Sequence, residues 1–200
     1  MIGAPQIILA SASTIRADIL RGAGVPFEIV RPDVDEHIIK KEAFAAGKTL
    51  EQAAMMLAEA KCLDVAKSTD ALVIGSDQIM EFEGRAYDKP QDMDEARARL
   101  IDMQGAAHTL INAIAVARNG SVIWRHVERP SLVLRVLSEA EIEAYLAAAG
   151  PEILKSVGAY QIEQLGGRLF DRVDGSHFAI LGLSLFPLLE CLRREGAVAF

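Results

Sequence analysis

Cysteine is scarce in this chain. Cys62 and Cys191 are the only two; they show no C-x-x-C spacing and fall in helix-like patterns, which excludes a disulfide framework and leaves a thiolate zinc site without support. That usage fits a reducing, cytoplasmic setting. The four histidines, His37, His108, His126 and His177, lack metal-ligand spacing and are expected to be structural or surface residues. Cationic excess is missing too. With 28 acidic against 21 basic side chains the formal net charge is −7, which speaks against nucleic acid as a partner, since that affinity comes mainly from phosphate neutralisation. Any bound anion must be met by a local cluster of cations.

Long apolar runs are absent. Phe178 to Leu189, the longest, is broken by Gly182, Ser184 and Pro187 and is too short to span a bilayer, so no membrane association is expected. Ile7 to Leu9 followed by Ala-Ser-Ala imitates a signal-peptide cleavage region but lacks the basic segment and the length. The chain therefore reads as soluble and mature. Aromatic residues make up only 6%, against 24% charged and 51% hydrophobic, the balance of an ordinary globular chain. Such a chain buries one sizeable core, and one domain over residues 1–200, bilobed at most, is expected.

Apolar runs alternate with amphipathic, helix-length segments. Gln6 to Ala10 reads as a strand, Thr14 to Ala23 as a helix stopped by Gly24, and Phe27 to Val30 as a second strand. Residues 32–38, PDVDEHI, read as an acidic loop, and residues 49–67 as a long helix. Residues 71–77 are a short apolar strand ending on a carboxylate, followed by a hairpin turning at Glu83-Gly84. Asp92 to Met103 is a helix with an acidic first turn, and two strands flank Asn119-Gly120. Ser138 and Glu141 form a capping box for a helix to Ala149, stopped at Gly150-Pro151. A last strand, Arg168 to Val173, precedes a helix over 185–194. Without repeats or linkers, this order predicts an α/β domain with a mixed sheet.

Three places could carry chemistry. In LASASTIR the first strand runs through Ser11 and Ser13 into a helix with Arg16 in its first turn. Free amides, hydroxyls and a guanidinium suit a phosphate, yet Ser13 as an N-cap and Arg16 as a solvated residue explain the same pattern. No P-loop motif is present. Lys61 falls near the middle of an apolar stripe of Leu50, Ala54, Leu57, Ala58 and Val65; it either snorkels or points into a cleft. Asp77, at a strand end and followed by Gln78 and later by Asp88-Lys89-Pro90, is either a turn residue or a ligand-facing acid. Asp35-Glu36 reads as solvated charge unless a phosphate site lies near, where carboxylates hold Mg²⁺ or Mn²⁺.

Together LASASTIR, PDVDE, AEAK (58–61), IGSDQ (74–78), DKP (88–90), GAAH (105–108), VGAYQIE and LGL (181–183) resemble the Maf family of nucleoside triphosphate pyrophosphatases. The resemblance implies an elongated mixed sheet flanked by helices around a deep central cleft, Maf/ITPase-like. It implies hydrolysis between the α and β phosphates with a divalent metal, Mg²⁺ or Mn²⁺, which Glu36 and Asp77 would bind. Ser11 and Arg16 then match the phosphate-binding residues, with Ser13 beside them; Glu36, Lys61 and Lys89 match site residues, and Asp77 the proton acceptor. The implied partner is a small nucleotide, and a homodimer is left open.

Within that resemblance, dTTP/UTP-type members carry Arg, Asp-Thr and Gln at three positions where 7-methyl-GTP-type members carry Trp, Asp-Gln and Glu. Here Ile15, Gln78 and Glu163 occupy them, so two of three favour 7-methyl-GTP. A carboxylate at Glu163 could accept from the guanine N–H groups and balance the cationic methylated ring. Ile15 lacks the aromatic that could stack on such a ring. Asn112 with Ala113, and Gln164, also depart from the pattern. A dTTP/UTP or broader pyrophosphatase, or a non-catalytic nucleotide-binding regulator of cell division, are the alternatives.

Overall fold

The structure is a computed structural model describing residues 4–200; residues 1–3, inside the expected domain span, lie outside the described residues. β1 (Ile7–Ala10) leads into α1 (Thr14–Gly22). Ser13 caps α1 by accepting from the Arg16 amide, and Gly24, at φ 67°, ends it. There the Gly24 N–H donates to Arg21 O and the Val25 N–H reaches back to Leu20 O. β2 (Glu28–Val30) and β3 (Leu72–Phe82) both pair parallel to β1, as helical crossovers require.

Residues 32–38 are not all loop. The Asp35 carboxylate accepts from the Ile38 amide at 3.0 Å and caps α2 (Glu36–Ala45), so Glu36 stands in a helix's first turn. Ala43 is the only residue this helix buries, and an apolar stripe that would announce it in the sequence is missing. α3 (Leu50–Ala66) starts from a capping box of Thr49 and Gln52.

Two hairpins fall where the turn residues predict them. β3 turns at Glu83 (φ 50°) and Gly84 (φ 75°) into β4 (Arg85–Tyr87); β5 (Ala107–Arg118) turns at Asn119 (φ 49°) and Gly120 (φ 71°) into β6 (Ser121–Glu128). Paired positive φ values are the geometry of a tight two-residue hairpin. β7 (Ser131–Leu134), unexpected from the sequence, pairs antiparallel with β5 and with β8 (Phe170–Asp174). Arg168, expected in that last strand, sits instead in a 3₁₀ turn over Leu165–Leu169. α4 (Met93–Met103) and α5 (Glu139–Ala149) form as expected, α5 running on into a 3₁₀ turn over Gly150–Lys155. α6 (His177–Ile180) and α7 (Leu185–Arg194) close the chain. The strand order is β2-β1-β3-β5-β7-β8, with β4 on β3 and β6 on β5: a mixed eight-stranded sheet of the α/β class. No helix among the described residues is long and apolar enough to cross a membrane.

The chain forms two compact units. The first comprises residues up to Gln78 with Ile111–Glu128 and Ser176–Phe200. Its core joins Ile7, Leu9 and Ile74 from the strands to Leu20 of α1 and Leu188 and Leu192 of α7, each buried aliphatic contributing about 1.5–3 kcal/mol. The second comprises Ile79–Leu110 and Arg129–Gly175 and buries Leu100, Met103, Leu132 and Leu146. Both cysteines are free and buried; burial pushes the thiol of Cys62 up to about 12 and of Cys191 to about 11, so neither is a nucleophile at neutral pH.

His108, on β5 in the second unit, is 1% exposed, with its Nε2 2.6 Å from the Tyr160 hydroxyl and its Nδ1 unpartnered among the described residues. The Tyr160 and Phe170 rings pack beside it. Burial lowers the imidazole from 6.5 to about 4. As pH falls the unfolded chain binds the proton first, so this stability is complete above 6.5 and lost towards 4. The loss is expected to reach about 3 kcal/mol. Denaturant melts at both ends of that window should show wild type losing more than His108→Gln; equal losses would mean that His108 titrates freely.

Candidate active site

Strand period two assigns the residues of β3 to opposite faces. Val73, Gly75 and Asp77 share the face towards α3, whereas Ile74, Ser76 and Gln78 share the one towards α1 and the 176–184 segment. Gly75 makes the first contact close. A Cβ there would lie 2.1 Å from Ala58 O and 2.8 Å from Cys62 N, so any other residue would push α3 away. That approach brings Lys61 of α3 over Asp77.

Lys61 is 6% exposed and Asp77 is 6% exposed. The Lys61 ammonium donates to Asp77 Oδ1 at 2.6 Å and pairs with Glu36 Oε1 at 2.8 Å. Lys61 therefore does not snorkel: it bridges two carboxylates contributed by β3 and by the first turn of α2. Burial works to raise the Glu36 carboxyl, but Lys61, by charge and hydrogen bond, with Lys40 and Arg16, outweighs it and holds the group below the ordinary glutamate value. Only Oδ1 of Asp77 accepts a hydrogen bond among the described residues; Oδ2 is left as the acceptor.

Arg16 is not a solvated helix residue. Its Nε donates to Gly182 O at 2.7 Å, and its Nη1 to Ser76 O at 2.8 Å and Ser11 Oγ at 3.4 Å. Burial draws the guanidinium below its ordinary value, while Asp77 and then Glu36 pull it back up. Gly182 suits its place through its backbone, whose φ of 102° favours glycine. Ser11 is buried, its hydroxyl accepting from the Ser13 amide at 3.1 Å, and Ser13 is the helix cap. Nη2 of Arg16 is the guanidinium nitrogen without a hydrogen bond among the described residues.

Sequence reasoning leaves out the polar frame behind this wall. Ser76, fully buried, donates its hydroxyl to Gly182 O at 3.0 Å. Asn112, also fully buried, accepts from the Ser184 amide (3.0 Å) and hydroxyl (2.8 Å) and donates to Asp77 O at 3.4 Å. The available signal is an asparagine inside the otherwise apolar run of β5, since a buried amide must find partners. Gln78 commits its amide N–H groups to Ala179 O (2.9 Å) and Ile180 O (3.2 Å). Ile15 is half-buried against the first unit's core. Lys89 and Glu163 belong to the second unit, both exposed, on the segment after β4 and in the turn before the 165–169 3₁₀ helix. The structure thus brings together Ser11, Arg16, Glu36, Lys61 and Asp77.

The carboxylates present limit how a divalent cation could be held. Among the described residues no group of three or more His, Cys, Asp or Glu side chains could hold a metal by itself. Two carboxylates converging on one ammonium do fit a cation such as Mg²⁺ that takes one or two carboxylates and fills its remaining positions with phosphate oxygens and water. The charges agree, because Glu36 and Asp77 against Lys61 and Arg16 leave no net charge to attract a triphosphate.

A family profile described as "Maf-like protein" matches residues 6–195. The chain belongs to the Maf family. It is 46% identical over 195 residues to a 7-methyl-GTP pyrophosphatase of Rhizobium meliloti (strain 1021), covering 97% of this chain and 98% of that protein. It is 46% identical over 194 residues to a nucleoside triphosphate pyrophosphatase of Maricaulis maris (strain MCS10), covering 96% and 98%. For one of Caulobacter vibrioides the identity is 44%, with 96% of each chain covered. A solved nucleoside-triphosphatase / dITP/XTP pyrophosphatase from Mycobacterium abscessus covers 97% of this chain and is covered to 96%, at 15% identity and a TM-score of 0.41, too distant to bear on the chemistry. Ser11, Arg16, Glu36, Lys61 and Asp77 all lie inside the matched span.

Proposed function

We propose that this Maf-family chain hydrolyses a nucleoside triphosphate between its α and β phosphates, releasing a nucleoside monophosphate and pyrophosphate, with 7-methyl-GTP as the preferred nucleotide. One observation carries the chemistry: the buried Lys61 ammonium bridges Asp77 and Glu36 at hydrogen-bonding distance. Lys61 fixes the Asp77 carboxylate through Oδ1, and Asn112 fixes the backbone beneath it. Oδ2 is then oriented to accept a proton from a water attacking the α-phosphorus. Arg16, through Nη2, and Lys61 counter the charge that gathers on the departing pyrophosphate. Glu36 and Asp77 would hold a divalent cation, Mg²⁺ or Mn²⁺, which supplies neutralisation of the phosphate oxygens when bound.

The nucleotide preference draws on the names of the relatives and on residue type. Two of the chain's relatives named as 7-methyl-GTP pyrophosphatases, from Rhizobium meliloti and Brucella suis, are 46% and 41% identical to it, and Gln78 and Glu163 are the residues that the family resemblance links to that preference. An exposed carboxylate at Glu163 offers acceptors and a countercharge to a cationic methylated guanine. Lys89 enters from the family resemblance as a second phosphate-neutralising lysine.

The deciding measurement is pyrophosphate release across a panel of 7-methyl-GTP, GTP, dTTP and UTP, with Mg²⁺, with Mn²⁺ and with chelator. The expected outcome is metal-dependent turnover, fastest with 7-methyl-GTP. Faster hydrolysis of dTTP and UTP would overturn the preference, and tight nucleotide binding without turnover would replace an enzyme by a nucleotide-binding regulator.

A further inference from the structure

Arg99 of α4 belongs to none of the motifs above, yet it is among the most constrained side chains of the second unit. Its side chain is 4% exposed. Nη1 donates to two main-chain carbonyls, those of Asp88 and Val157, 11 and 58 residues away. Nη2 donates to Glu95 Oε1 at 2.7 Å, and the guanidinium lies over the Tyr87 ring, 5.2 Å from its centroid. Asp88 immediately precedes Lys89; Val157 opens the VGAYQIE segment that ends at Glu163.

The two segments are pinned by more than Arg99. Glu95, whose Oε1 receives Arg99, accepts the Gln91 amide on Oε2 at 2.9 Å. Lys89 and Pro90 are thus bracketed by a held carbonyl at 88 and a held amide at 91. On the other side, Tyr145 donates its hydroxyl to Ala159 O at 3.3 Å, and His108 meets the Tyr160 hydroxyl at 2.6 Å. Ala159 sits at φ 57°, a conformation a non-glycine residue keeps only where its surroundings hold it. A Cβ at Gly158 would strike the Tyr160 ring at 2.2 Å, so that ring packs tightly on its own segment. Arg99 bonds directly to both segments.

We propose that Arg99 is a positioning residue that couples the Lys89 loop to the 157–163 segment, so that the phosphate-neutralising lysine and the base-selecting carboxylate keep one fixed mutual placement. This rests on the proposed roles of Lys89 and Glu163. A guanidinium is suited to joining two carbonyls: it is planar, permanently charged, and offers several donors in a rigid fork, which an ammonium on a flexible stem does not reproduce. Burying such a cation against carbonyls is costly unless each donor is used, and its Nε stays buried without a partner among the described residues.

The full chain tests this by hydrogen exchange and kinetics. In the wild type, amides of 86–91 and 157–163 are expected to open together, with one common denaturant dependence. Arg99→Met should raise exchange in both segments by about tenfold or more, the weight of charge-assisted hydrogen bonds, while amides of β1 and α3 in the first unit keep their protection. The same variant should raise KM for 7-methyl-GTP and narrow its discrimination against GTP about tenfold, with a smaller change in kcat; Arg99→Lys should not rescue it. Separate opening of the two segments in the wild type, which needs no variant to fold, would overturn the coupling, as would an Arg99→Met protein with unaltered discrimination. A wild type with coupled opening but no pyrophosphate release would instead sink the proposed function and leave the coupling intact.

Discussion

Asp77→Asn is expected to lower kcat for pyrophosphate release by about 10²- to 10⁴-fold, the usual contribution of a positioned base. The substitution preserves shape and an acceptor for Lys61, and Lys61 keeps its contact with Glu36, so the fold should survive with a modest change in melting temperature. At saturating metal, where Glu36 still offers a carboxylate to the cation, KM should move less than kcat, because a group that acts on water contributes little to ground-state binding of nucleotide. Single-turnover measurements at saturating nucleotide check this directly. A variant retaining near-normal turnover would remove Asp77 as proton acceptor and leave it a structural partner of Lys61.

Lys61→Met is expected to have the largest effect on stability. It leaves the buried Asp77 carboxylate without its cation, and breaking one side of a buried ion pair costs about 3–5 kcal/mol. Glu36 softens the loss little, since its side chain is 49% exposed and can turn to water. The double variant Lys61→Met/Asp77→Asn should recover much of the lost stability, because no uncompensated buried charge remains. Denaturant melts of the two singles and the double form a complete cycle. If the Lys61→Met loss were below about 1 kcal/mol, water would have to reach Asp77 as it reaches a surface pair. Turnover should fall in the single and in the double alike, so stability and catalysis separate in this pair of proteins.

Elements that close on local interactions are legible from the sequence. Asn119-Gly120 and Glu83-Gly84 both adopt the positive φ values their hairpins need, and Thr49, Ser138 and Ser13 cap the helices they precede. α2 escapes because a helix announces itself by an apolar stripe, and this one buries only Ala43. β7 escapes because four residues after a proline carry too little alternation, and their pairing with β5 and β8 is decided by tertiary contacts. The same division runs through the site. Lys61 betrays itself as a charge within an apolar stripe and Asp77 as a carboxylate closing an apolar run, although β3 does not end there but continues to Phe82. Arg16 looks like any first-turn arginine because its decisive partner, Gly182 O, is 166 residues away. Arg99 hides in the same way on an amphipathic helix whose charged residues look solvated, although its carbonyl partners are distant in the chain.

The carbonyl clasp on Arg16 also bears on the entropy of ligand capture. A free arginine side chain gives up about 1.5–2 kcal/mol of rotamer freedom when it is immobilised. Here Ser76 O, Gly182 O and Ser11 Oγ already hold three donor positions, so that loss falls on folding rather than on association. An anion arriving at Nη2 meets a side chain with nothing left to freeze.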